Sequence, residues 1–389
     1  MIANLYKTPF PWFGGKSDAA PHVWEALGDV AHYVEPFAGS LAVLLRRPHV
    51  ANRHYYSETV NDADGLLVNA WRAIQMSPDA TADAASWPVS EADLHARHLA
   101  LLRWRSERQL EHLMGDPLWH DPVMAGWWMW GQSCWIGSGW CSGDGAWTVG
   151  DDGRILKRGA RANGSAGVGR QIPHISDGGR GTNHANTREE GVGRQIPHIS
   201  DDGRGTNTAA VREEGVAYAT EYHPMTMPEL RRWFAFLSAR LRHVRIMNGD
   251  WSRACTNGAL KTLAVRQGDG VAGVFLDPPY ADTAERMGSI YTHDDLQVAH
   301  AAREWAIKAG TDPKLRIVFA GFDGEHGTAF TDAGWREVEW YKSGFLKGGM
   351  ANVSGTGMTQ MTRDRLWLSP HCEAPEADRL QGSLFGGAP

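Results

Sequence analysis

Cysteine is scarce in this 389-residue chain: only Cys134, Cys141, Cys255 and Cys372 occur. They form no C-x-x-C pair and no even framework of close spacings, which argues against a structural zinc and against a disulfide scaffold. Free thiols in a reducing compartment are the expectation, with no metal. Long apolar runs are missing too. No stretch approaches the roughly 18 residues needed to cross a bilayer, and the opening MIANLYKTPFPWF has no apolar heart of a signal peptide. Excess positive charge is absent as well. A net charge of −6 argues against a surface built throughout to hold nucleic acid, while leaving room for a local basic face. A soluble, cytoplasmic protein without a membrane partner is expected.

What is present suffices for a sizeable core. Hydrophobic residues make up 42% and charged residues 22%, over a length that suits one large domain with an insertion, or two domains. AHYVEPF (31–37) reads as a short buried strand, SLAVLLRR as a helix opening at Ser40, and RHYYSETV (53–60) as a strand followed by the polar turn NDAD. Residues 66–113 carry a mostly helical pattern broken around SWPVS. Composition then shifts: seven tryptophans lie between Trp119 and Trp147 among glycines and serines. Next comes a direct repeat of 24 residues, GVGRQIPHISDGGRGTNHANTREE (167–190) followed by GVGRQIPHISDDGRGTNTAAVREE (191–214). Two copies are too few to bury a solenoid core, and their Gly, Asn, Asp and Ser read as turns. An extended arm of short strands and turns is expected there.

Helical spacing returns with Leu230, Phe234, Leu237 and Leu241. Strands HVRIMNGD, GVFLDPPY, LRIVFAGF, WREVEWY and RDRLWLS follow, with the helix DDLQVAHAAREWAIKAG among them. Alternation of strands and helices implies an α/β fold around a mostly parallel, Rossmann-like sheet. The expected organisation is a body made of 1–66 and 242–370 and an insertion over 67–241. The insertion holds the Trp-rich segment 119–147 and the repeats 167–214, and residues 371–389 form a flexible tail.

Ligands of open parallel sheets bind beyond the carboxyl ends of the strands. EPFAGS, NDAD, NGDW and DPPY each follow such an end. Gly39 in EPFAGS permits a tight turn whose amides approach a ligand, and an acid about 20 residues on, Asp62, suits the hydroxyls of a ribose. Each alone is also ordinary turn chemistry. DPPY is more specific. Asp277 and the carbonyl of Pro278, made rigid by Pro279, offer two acceptors to an exocyclic NH2. Accepting both hydrogens favours a pyramidal nitrogen whose lone pair can meet an electrophile. Tyr280 adds a flat face on which a base can stack.

Asp277-Pro278-Pro279-Tyr280 resembles the catalytic motif of S-adenosylmethionine-dependent amino-methyltransferases of DNA. WFGGK (12–16) with VEPFAGS (34–40) resembles the amino-terminal motifs of the Dam-type, D12-class, alpha-group adenine methyltransferases; direct repeats in the insertion resemble some phage-borne members. The resemblance covers roughly 8–64 and 245–370. It implies cofactor contacts from Trp12, Lys16, Asp62 and Asp277, and places Glu35, Phe37 and Gly39 beside the methionine part. It further implies that Asp250 bonds the adenine amine of the cofactor, with Trp251 beside its ring. The family pattern F-x-G-x-G is broken here, Leu41 standing in place of the second glycine.

The insertion is then expected to read sequence in double-stranded DNA. Arg170, Gln171 and Arg180 recur as Arg194, Gln195 and Arg204 in the second repeat, and Arg and Gln are the usual readers of guanine and adenine. Between 153 and 188 seven Lys or Arg face one acid, Asp177. A hydrophilic loop expanded by duplication is the competing reading. The tryptophans are expected mainly as core, with one or two free to fill the gap left by a flipped base. The reading is therefore a monomeric, site-specific adenine-N6 methyltransferase. N4-cytosine methylation, RNA or protein-glutamine methylation, and a catalytically silent DNA-binding relative stay open as alternatives. Whether a restriction endonuclease accompanies it is not legible.

Overall fold

A computed structural model describes residues 6–12, 14–48, 57–106, 119–135, 140–141, 147–149, 155–157, 226–262, 264–265, 270–279, 297–340 and 364–374. The repeats, Tyr280 and the tail beyond 374 lie outside the described residues. The chain divides into two compact units, one of 1–15, 62–242 and 289–293, the other of 16–61, 243–288 and 294–389.

The described strands are β1 (His32–Glu35), β2 (Ser57–Asp62), β3 (Trp147–Val149), β4 (Ile155–Lys157), β5 (Val244–Asn248), β6 (Ala272–Leu276), β7 (Leu315–Phe322), β8 (Arg336–Val338) and β9 (Asp364–Leu368). Seven of them form one sheet in the order β5-β2-β1-β6-β7-β9-β8. The pairs β2–β1, β1–β6 and β6–β7 are parallel, whereas β9 is antiparallel to both β7 and β8. The sheet is mixed α/β and mostly parallel, as the strand–helix alternation suggested. Every residue of β6 is buried, as a strand covered on both faces requires. Its Val274 and Leu276 pack with Ile317 and Phe319 of β7, Ala302 and Ala306 of the helix Val298–Ala309, and Phe330, Trp335 and Trp367.

One local expectation is corrected. The helix expected from Ser40 runs only over Ala42–Leu45, because its N-cap Leu41 takes a left-handed conformation, φ 53° and ψ 24°. That turn is where the family pattern places glycine.

The other unit is helical: Gly65–Met76, Pro78–Ala85, Glu91–Ser106, Pro122–Cys134 and Met227–Leu241, with the hairpin β3–β4. Trp71, Trp128, Trp130 and Trp233 are fully buried in it. Of the Trp-rich segment, Trp128, Trp130 and Trp140 are buried, and Pro122–Cys134 is a helix. Asp121 caps that helix by accepting from the amides of Val123 and Met124. Its glycines serve packing. A Cβ on Gly126 would meet Ala84 Cβ at 2.4 Å, and one on Gly131 would meet Trp140 Cζ2 at 1.9 Å. Among the described residues no helix is long and apolar enough to cross a membrane. The four cysteines are free thiols.

Candidate active site

Parallel register brings chemistry to one sheet edge. β1 and β6 pair from His32↔Ala272 to Val34↔Val274, so Glu35 ends one strand beside the end of the other, where Asp277 follows Leu276. On the other side of β1, Glu35 faces Val60, and Asn61 comes next along β2. The edge therefore gathers Glu35, Asn61 and Asp277. Pro278 and Pro279, neither able to donate to a ladder, end β6 at this point.

Lys16 reaches the same edge. Its Nζ lies 3.0 Å from Asp277 Oδ1, with side-chain exposures of 4% for the lysine and 23% for the aspartate. Burial pushes the Asp277 carboxyl above the usual aspartate range, and the Lys16 ammonium works against that push. Glu35 is more deeply buried. Burial raises its pKa well above the usual range; the Tyr33 hydroxyl, donating to Oε2 at 3.2 Å, lowers it, the charge of Asp277 raises it, and a bond from the backbone of Leu44 lowers it. Tyr33 itself is pushed upward by burial first and by Glu35 second. Two neighbouring carboxyls both raised by burial, one paired with an ammonium and one with a phenol, are a recurrent mark of a functional site.

The turns beyond the strands supply flat faces and close backbone. Phe37 stacks on Trp251, ring centroids 5.8 Å apart at 27°, and Trp305 meets Trp251 edge-on at 6.1 Å. Gly39 sits at φ 45° in the turn that follows Phe37. Asp250 is exposed; its Oδ1 accepts from the amide and the hydroxyl of Ser252, which closes the 3-10 turn Trp251–Cys255. These features fit an elongated ligand with a planar end: an aromatic pair, a turn open to close approach and a carboxylate beside it.

Asn61 was not singled out by the sequence reading, which took its neighbour Asp62 instead. Its Nδ2 donates to Pro36 O and to Gly249 O, both at 3.0 Å, while its backbone carbonyl accepts from Ala38. An asparagine in a polar turn carries no signal in sequence that separates such a clamp from ordinary turn chemistry.

Two of the expected cofactor residues belong to the helical unit. Trp12 packs at 6.1 Å from Phe10 and 6.2 Å from Trp128. Asp62 accepts from the amide of Asp64, which in turn caps the helix Gly65–Met76. Tyr280 and the expected DNA-contacting residues Arg170, Gln171, Arg180, Arg194, Gln195 and Arg204 lie outside the described residues.

Residues 12–96 match the model of the D12 class N6 adenine-specific DNA methyltransferase family. That segment is similar to this family, and the match supports adenine-N6 methylation of DNA. No curated protein matches the chain.

Proposed function

We propose that the chain is a D12-class adenine-N6 methyltransferase that draws its methyl group from S-adenosylmethionine bound at the carboxyl edge of the seven-stranded sheet, and delivers it to an adenine flipped out of double-stranded DNA at a defined short sequence. The observation that carries the reading is the Lys16–Asp277 pair at the end of β6, directly before two prolines. Asp277, kept available as an acceptor by the ammonium, and the carbonyl of Pro278 take the two hydrogens of the adenine amine. S-adenosylmethionine held there would supply an electrophilic methyl carbon with a thioether as its leaving group. The two acceptors would aim the nitrogen lone pair at that carbon, and the amine proton would pass to solvent. No strong base is required, so catalysis rests on positioning and on these hydrogen bonds. Glu35, Phe37 and Gly39 are assigned to the methionine part of the methyl donor and Asp250 to its adenine, beside Trp251. The assignment of Trp12 and Asp62 to the donor, and of Tyr280 to stacking on the target base, rests on the resemblance. The insertion 67–241, with Arg170, Gln171, Arg180 and their counterparts Arg194, Gln195 and Arg204, is proposed to find the site, in a monomeric enzyme whose body is 1–66 and 242–370.

Expression in cells lacking adenine methylation, followed by modification-sensitive sequencing beside Asp277→Ala, tests the whole reading. N6-methyladenine at one short motif, absent in the variant, is expected. Scattered methyladenine would remove the repeats as a sequence reader, and unmodified adenine from soluble protein would remove the function.

A further inference from the structure

We propose that Asn61 is a positioning residue for the methyl donor: its amide holds the turn after β1 against the turn after β5, and its free oxygen takes a hydrogen bond when the donor binds. This rests on the reading of the sheet edge as the S-adenosylmethionine site. Three observations carry it. First, Nδ2 spends both hydrogens on carbonyls from two different turns, Pro36 and Gly249, at 3.0 Å each. Two carbonyls beside one terminal atom fix the orientation of the amide, because only the NH2 end can donate to them. Second, these are the turns that carry the assigned ligand contacts: Pro36 opens Phe37–Gly39, and Gly249, at φ 131°, precedes Asp250 and Trp251. Phe37 and Trp251, stacked at 5.8 Å, are therefore set relative to each other by Asn61 as well as by their own rings. Third, Asn61 is 1% exposed, yet its Oδ1 has no hydrogen-bond partner among the described residues.

Asn69 shows what a merely structural asparagine looks like in the same protein. It is fully buried, and its Nδ2 donates to Asp121 O while its Oδ1 accepts from Asp121 N, so both ends are satisfied. Buried polar atoms are matched in the great majority of cases, and an unmatched one marks a site completed by something else.

The test compares Asn61→Ala, Asn61→Asp and Asn69→Ala with the parent enzyme, measuring S-adenosylmethionine Kd by titration and KM and kcat with DNA, well below each variant's Tm. Asn61→Ala is expected to raise Kd and KM for the donor about tenfold, with kcat at saturation and KM for DNA within about twofold. Asn69→Ala is expected to lower Tm and leave donor Kd unchanged. Asn61→Asp keeps the shape but turns an acceptor towards two carbonyls. Its Kd, relative to the parent at each pH, is expected to improve as pH falls and the new acid regains a proton to donate. This second variant decides the matter if the first does not fold. If the parent binds the donor and both Asn61 variants bind it equally well, the positioning role is wrong while the site reading stands. If the parent itself fails to bind S-adenosylmethionine, the site reading falls first.

Discussion

Lys16 Nζ and Asp277 Oδ1 stand 3.0 Å apart, joining the first glycine-rich turn of the chain to the end of a central strand. The lysine is almost wholly buried and the aspartate partly exposed, so the ammonium above all is poorly served by water. Removing one partner of such a pair leaves the other stranded, at a cost of roughly 3–5 kcal/mol when it cannot neutralise. Asp277 can neutralise, by taking a proton, and that escape would weaken it as an acceptor and turn one of its two oxygens into a donor.

Lys16→Met is therefore expected to cost activity more than stability. Lys16 holds the Asp277 pKa down against burial, so its loss raises that pKa further. The acid limb of kcat/KM against pH should move to higher pH. Once that limb passes neutrality, activity at pH 7 should fall about tenfold for every further pH step of one. An acid limb at the same pH in variant and parent would show that Lys16 does not tune Asp277.

His32 gives the stability of the protein an acid edge. It is fully buried in β1, where Nδ1 lies 3.0 Å from Ser57 O and 2.7 Å from Ser57 Oγ. Nε2 is buried without a partner among the described residues, and a proton placed there would find no acceptor. Burial, with Arg245 and Arg47 nearby, lowers the pKa to about 4. A depressed histidine pKa means that the unfolded chain binds the extra proton first. The stabilisation is present in full above pH 6.5 and is lost as pH falls towards 4, amounting to roughly 3 kcal/mol. His98, lowered by burial to about 4, adds in the same direction. Urea unfolding at pH 7.5 and pH 4.5 measures this, and equal stability at the two would contradict it.

Gly131→Ala should destabilise, although alanine normally gains about 1 kcal/mol over glycine inside a helix. The added methyl would overlap Trp140, which is held by Nε1 donating to Trp128 O at 3.1 Å and is buried itself. Overpacking of this kind costs about 1–3 kcal/mol. A fall in Tm is expected; a rise would mean that Trp140 yields freely.

Leu41 poses a contest between backbone and packing. A left-handed residue with a side chain costs about 1–2 kcal/mol, which Leu41→Gly would relieve. The leucine is fully buried, however, and truncating a buried leucine costs about 2–5 kcal/mol. Packing should win, leaving Leu41→Gly less stable by about 1–3 kcal/mol in denaturant titration. A more stable variant would show that strain dominates.

The α/β fold was legible because its strands carry local signals. AGVFL is an unbroken apolar run stopped by DPP, and LRIVFAGF repeats that apolar character, so buried parallel strands follow from pattern alone. The helix Pro122–Cys134 was not legible. Gly126 and Gly131 mimic loop composition, and only tertiary contact with Ala84 and Trp140 explains them. The shortness of Ala42–Leu45 was hidden likewise, because a leucine gives no local hint of a left-handed turn. In the site, Asp277 announced itself through its prolines, while Lys16 and Asp277 meet only through the folding together of distant segments. Asn61 had no signal at all, since both of its acceptors are backbone atoms brought from elsewhere.

The central claim is methyl transfer to adenine N6. Purified protein, S-adenosylmethionine and unmethylated duplex DNA should be incubated together, and the DNA digested to nucleosides for mass spectrometry, with Asp277→Ala in parallel. N6-methyldeoxyadenosine that grows with time and is absent in the variant is the expected result. N4-methyldeoxycytidine alone, or no methylated nucleoside from protein that binds the methyl donor, would contradict the account.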